Sequence, residues 1–193
     1  MPFQSLASRA IAAMPPDARL SKVRRLARQG ERAAIFFILA LSVYMLILAF
    51  NRAQLILYLR MQLPPDAMSA PSDASVLLAA GVSLVPALLF LAVLWNVWRL
   101  FRLFGHQDVF DAAVPSLLGR IGRLSLLTAA TSITGRTLVI LIMTYESPPG
   151  HRLLSIGIDA GDVASLVIGL MLFTFAGVMQ EAIRLSDENK DFI

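Results

Sequence analysis

Apolar residues gather into four long blocks along this chain, separated by polar stretches rich in Pro, Ser, Asp and Arg. Each block holds the roughly 20 residues of helix that a bilayer's hydrocarbon core requires. The pattern predicts spans over 33–57, 74–98, 124–145 and 160–179. The first block opens at Ala33 and is apolar to Phe50; "NRAQLILYLR" then carries the helical periodicity on, with Arg52 and Arg60 reaching to the interface. Pro86 lies inside the second block and predicts a kink near Ser83. Trp95 and Trp98 sit near its far end, where amphipathic rings favour the headgroup region. That helix runs past the membrane to Phe104 and stops at Gly105, a suitable C-cap. Asp111 is placed to cap the next helix, with Pro115 in its tolerated first turn. Asp159 and Asp162 suit the start of the last one, as N-cap and first-turn acid.

Residues 1–32 form a distinct basic, amphipathic segment ahead of the 33–193 transmembrane domain. "MPFQSLASRAIAAM" places Phe3, Leu6, Ala10 and Met14 on one helical face, and "PPD" at 15–17 breaks the pattern. "ARLSKVRRLARQGER" then sets Leu20, Val23, Leu26 and Ala27 in an apolar stripe bordered by Arg19, Lys22, Arg24, Arg25 and Arg28. Such a helix suits an anionic membrane surface; a solvated basic tail that only fixes orientation is the plainer reading. Direct nucleic-acid binding is disfavoured, because no aromatic residue is interleaved with the charges. The segment does not read as a cleaved leader, since no small-residue cleavage site follows the apolar run.

Composition turns these blocks into a fold class. Apolar residues make up 57% of the chain and charged residues 16%, with a mean hydropathy of +0.70. Soluble domains average nearer half and a quarter. The expectation is an all-α membrane protein, a bundle of four transmembrane helices preceded by the basic segment. There is no cysteine, which excludes disulfides, thiol nucleophiles and thiolate metal sites. The two histidines, His106 and His151, fall in different loops, so no metal site is expected. Of the 17 Lys and Arg residues, 13 lie before the first span, in the bridge between the second and third, and after the fourth; three lie in the other two loops. The positive-inside rule then places both termini in the cytoplasm.

The remaining cation is Arg136, inside the third block. Facing lipid would cost roughly 3 kcal/mol on insertion scales, so it should face the bundle. Helices leave lipid for one another through small residues and polar contacts. Gly157, Gly161, Ser165 and Gly169 recur every fourth residue in the last block, with Gly177 further along the same face. Ser125, Thr128, Ser132 and Gly135 form a matching strip in the third. The inference is that spans three and four pack together; dimerisation or another partner would use the same strips. Arg136 adjoins Gly135, within reach of the Ser132 and Thr128 hydroxyls, and Asp162 is its preferred partner. Three roles stand open: an ion pair that only fixes packing, an anion or substrate site in an outward pocket, and a contact to another protein's membrane helix.

No catalytic constellation is present: no HExxH, GxSxG, Walker loop or GxGxxG after a strand. His106, Asp108 and Asp111 in "GHQDVFD" read as helix caps rather than chemistry. No cofactor and no enzymatic activity are expected.

Two stretches carry a resemblance. The bridge "LFRLFGHQDVFDAAVPSLLGRIGRL" and the ending "EAIRLSDENKDFI" resemble signatures of the domain of unknown function 2975 family, small bacterial membrane proteins. The matching positions are Gly105, Phe110, Gly122, Leu185, Glu188, Asn189, Phe192 and Ile193. The resemblance implies a four-span inner-membrane protein with both stretches in the cytoplasm. It also suggests a helix-turn-helix regulator as partner, or a larger membrane complex to which the chain is accessory. The docking surface would comprise Gly105, Phe110, Arg120 and Arg123 of the bridge with Leu185, Glu188, Asn189 and Phe192 of the tail. The basic extension and Arg136 depart from the family pattern. The leading expectation is therefore a non-enzymatic regulatory or accessory membrane protein; the alternative is a small transporter or anion-binding protein built on Arg136, alone or as a homo-oligomer.

Overall fold

A computed structural model describes residues 16–63, 72–106, 113–145 and 155–190. Among these residues the regular structure is entirely helical: α1 (Pro16–Phe50), α2 (Arg52–Arg60), α3 (Asp73–His106), α4 (Ala113–Thr144) and α5 (Ala160–Lys190). All but α2 are long and apolar enough to cross a membrane. Their 31 to 35 residues correspond to about 46–53 Å of helix, so each overshoots a hydrocarbon core of roughly 30 Å. The chain is a multi-pass membrane protein. The exposed faces of α1, α3 and α5 are covered with Phe, Leu, Ile and Val, the surface a lipid solvent requires.

The long helices stand antiparallel in a row rather than as a closed bundle: α1 packs on α3, α3 on α4, and α4 on α5. Burial follows that order. Helix α4, flanked on both sides, buries residues from Val114 to Thr144, while α5, among its described side chains, buries only Asp162, Gly169 and Ala176. Those three are seven apart, and Ser165, Leu172 and Met179, half-buried, repeat at the same interval. This is the seven-residue spacing of a coiled-coil seam, 3.5 residues per turn. A four-residue strip instead drifts by about 40° per step around the helix. That drift is why Gly161 and Gly177 leave the interface: a Cβ on either meets nothing within 4 Å.

Close approach concentrates at two points. A Cβ on Gly122 of α4 would lie 2.7 Å from the Phe173 amide nitrogen and 2.8 Å from the Gly169 carbonyl of α5. Gly30 of α1 lies directly against the Phe101 ring of α3. Gly135 faces α3 rather than α5, its nearest neighbour being Val82.

The first block is not one span reaching 57. Helix α1 is continuous from Pro16 to Phe50, across the expected segment boundary at 32, and then stops. Asn51 is extended (φ −115°, ψ 95°), and its side chain accepts a hydrogen bond from the Gln54 amide at 3.2 Å, starting α2 as an N-cap. Helix α2 folds back. Tyr44 and Tyr58 would be about 21 Å apart along one straight helix, yet their rings meet edge to face at 6.4 Å. Leu59 is fully buried among Val76, Ala79, Val139 and Met143, so α2 lies across the ends of α3 and α4. We call this the loop end; Val93, Leu100, Val114, Leu118, Ile121 and Ala176 form a second cluster nearer the end that holds the termini. Helix α3 passes Pro86 as a single element, Pro86 leaving the Val82 carbonyl without its usual helical donor.

Candidate functional site

The site forms where α2, α3, α4 and the start of α5 meet. Helix α4 runs eight residues past Arg136, and Gly157 and Asp159, just before α5, reach the guanidinium. Arg136 Nη1 donates to the Gly157 carbonyl at 3.2 Å. Its Nη2 lies 3.3 Å from Asp162 Oδ2 and 3.9 Å from Asp159 Oδ2. Asp162 is buried (6% side-chain exposure) and Asp159 is largely exposed (67%), with Arg136 between them at 21%. Asp162 has a second task. Its Oδ2 accepts from the Asp159 amide at 3.0 Å, while the Asp159 carbonyl accepts from the amides of Asp162 and Val163. This closes the first turn of α5 in the manner of a capping box. One carboxylate therefore both fixes the helix start and neutralises the intramembrane cation.

Beside this pair lies a cavity of about 380 Å³, lined by Tyr58 and Gln62 from the α2 region, Ser83 and Pro86 from α3, Ser132, Gly135 and Arg136 from α4, and Asp159. Gln62 Nε2 and Ser83 Oγ are buried and have no hydrogen-bond partner. A buried donor without a partner carries a desolvation cost of about 1–3 kcal/mol. A ligand acceptor placed here would relieve it. Burial, and secondarily the neighbouring Tyr44, raise the Tyr58 pKa above 10.0, against the opposing pull of Arg136. Tyr58 is thus a hydroxyl donor throughout the physiological range.

The expected site residues distribute as follows. Arg136, Asp162, Asp159 and Ser132 come together. Thr128 does not join them; its hydroxyl donates to the Leu124 carbonyl at 2.8 Å, as hydroxyls in membrane helices commonly do. Gly157 is not on the α5 packing strip but in the loop before it, where a Cβ would come 3.2 Å from Arg136 Cδ. Ser165 and Gly169 do face α4, and Gly161 does not. Of the expected docking surface, Phe110 and Phe192 lie outside the described residues, with Asp108 and Asp111; Asn189 lies within α5. Arg120, Arg123, Leu185 and Glu188 are exposed. Arg184 pairs along its own helix with Glu181 at 2.8 Å and Glu188 at 3.5 Å. Gly105 falls inside the last turn of α3. Tyr58, Gln62 and Ser83 were not foreseen. Asn51-x-x-Gln54, a capping-box-like spacing, was the available signal that a new helix starts there.

Among the described residues, no cluster of three or more His, Cys, Asp or Glu side chains is placed to hold a metal ion. The family model for proteins of unknown function DUF2975 matches residues 11–193. The chain belongs to the DUF2975 family. No curated protein and no solved structure matches it.

Proposed function

We propose that this DUF2975 protein is a non-enzymatic binding protein of the bacterial inner membrane that takes a small polar or anionic ligand in the loop-end cavity. One observation carries the reading: Gln62 Nε2 and Ser83 Oγ are buried without partners beside a guanidinium that is only partly engaged. Arginine presents five donors in a fixed fork, more than the Gly157 carbonyl and the Asp162 carboxylate require. Packing alone would be served by the Arg136–Asp162 pair and would not call for unpaired donors at Gln62, just past α2, and Ser83 of α3. The charge distribution of the loops favours a cavity that opens away from the cytoplasm. The test is thermal denaturation of the purified protein in mild detergent against acetate, phosphate and glycine. Binding to the folded state alone stabilises by RT ln(1 + [L]/Kd). A concentration-dependent rise in Tm for at least one probe, absent in Gln62→Ala/Ser83→Ala, is the expected result; no rise for any of them removes the reading.

A second reading assigns the opposite end to a protein partner, a regulator or a larger membrane complex. What supports it is the length of α3, α4 and α5 beyond the bilayer and the exposed Arg120, Arg123, Leu185 and Glu188. Co-purification of the intact protein under mild detergent, with and without residues 181–193, tests it.

A further inference from the structure

The polar cavity does not stand alone. A second cleft of about 340 Å³ opens beside it between α1, α2 and α3. Its walls are almost wholly apolar, including Met45, Leu48, Leu55, Leu77, Ala80 and Leu84. Tyr58 and Ser83 line both spaces, so the polar chamber and the apolar cleft adjoin at these two side chains. Leu77 and Leu84 are 74% and 46% exposed, which places the mouth of the cleft on the lipid-facing surface. Gly81 lies in the cleft wall, and a Cβ there would meet nothing within 4 Å. Together the two spaces fall within the roughly 300–1,000 Å³ typical of ligand sites.

We propose that the two spaces form one site for a single-chain acidic amphiphile, a long-chain fatty acid, with its carboxylate at Arg136 and its hydrocarbon chain in the cleft. The proposal rests on the ligand-binding reading above and names the ligand class. A cleft of this size takes one chain rather than two, which sets the ligand apart from the bulk diacyl lipids. The head would accept hydrogen bonds from Gln62 Nε2 and Ser83 Oγ, the two buried, unpaired donors that line the cavity. Asp159, at 3.9 Å and mostly exposed, holds Arg136 only loosely. The incoming carboxylate would take its place on the guanidinium while Asp162, buried and nearer, stays. The chain would enter sideways from the bilayer. Moving hydrocarbon from lipid into a protein cleft brings no hydrophobic gain, so the polar head must provide most of the selectivity and the cleft sets the chain length.

The test uses the full chain in phosphatidylcholine nanodiscs, titrated with labelled palmitate, with acetate and methyl palmitate as competitors. Expected are saturable binding at one palmitate per chain, little competition by acetate, and at least tenfold weaker competition by methyl palmitate. Gly81→Leu, which fills the cleft without striking the backbone, should weaken palmitate at least tenfold, as should Gln62→Ala/Ser83→Ala. Asp159→Asn should tighten it. Arg136→Gln should abolish it, but because Arg136 also pairs with Asp162 the Gly81 and Gln62/Ser83 variants decide the matter if that protein fails to fold. Acetate competing as well as palmitate, with Gly81→Leu silent, would overturn the amphiphile while leaving a small-anion site intact. Methyl palmitate competing as well as palmitate would overturn the role given to Arg136 and reduce the cleft to a lipid groove. Binding by neither palmitate nor acetate would overturn this proposal and count against the site itself.

Discussion

Replacing Gly122 by alanine tests the row architecture at its tightest point. The new Cβ would sit 2.7 Å from the Phe173 amide nitrogen and 2.8 Å from the Gly169 carbonyl oxygen, where ordinary contact begins at 3.4 Å. Both obstacles are backbone, so no rotamer change relieves them, and α4 and α5 must part by about 0.7 Å. A gap of roughly 0.5–1 Å forfeits a quarter to a half of each dispersion contact it opens, and α4 is the long helix on which α5 packs. Overpacking of this kind costs about 1–3 kcal/mol. Alanine in place of glycine returns at most about 1 kcal/mol of helix propensity. The expected net loss is about 1–2 kcal/mol. Gly177→Ala is the matched control: it is the same substitution on the same helix pair, at a position with open space around it, and should be neutral or slightly stabilising. Reversible unfolding by SDS in mixed micelles, followed by circular dichroism, compares the two. Equal midpoints for Gly122→Ala and Gly177→Ala would refute the α4–α5 register described here.

Further outcomes follow from the loop end. Arg136→Met and Asp162→Asn should each cost about 3 kcal/mol or more, since removing one partner strands the other in a buried setting; the double variant should cost less than their sum in the same SDS assay, and a coupling under about 0.5 kcal/mol would reduce the pair to coincidence. Asn51→Ala removes the cap that begins α2 and should cost about 1 kcal/mol, seen as faster amide exchange over residues 54–60. An alkaline absorbance titration should show one tyrosine ionising above 10.0 and lost in Tyr58→Phe. Because the folded state holds that proton more tightly than the unfolded chain, the contribution is full below pH 10 and fades as pH rises through the folded pKa. The chain has no native cysteine, so single cysteines report topology directly. An impermeant maleimide should label Met61→Cys in intact spheroplasts and Leu185→Cys only after permeabilisation.

The Arg136–Asp162 pairing was legible because an intramembrane cation must find a partner, and few carboxylates lie within reach of it. The cavity around it was not. Gln62 and Tyr58 enter only because the chain breaks at Asn51 and α2 returns across α3 and α4, and a periodicity that continues through the break conceals the turn. The packing strip held only in part, for a related reason: spans three and four do pack together, but not along the whole strip. Small residues every fourth position suggest a face, but the helices meet along a seven-residue seam that keeps Gly169 and releases Gly161 and Gly177.

By itself the sequence determined that the chain lives in a membrane and crosses it with four helices. Lipid offers no partner to backbone amides and carbonyls, so a crossing must satisfy them within itself or in a closed barrel, and apolar helices that do so declare themselves by length. Only the tertiary structure decided the order of the other helices, that they stand in a row, and that polar and apolar spaces adjoin at Tyr58 and Ser83. Inside lipid every flank is apolar whether or not it touches a neighbour, so lateral contacts leave no hydrophobic period along the chain and are set by close packing of a few small residues.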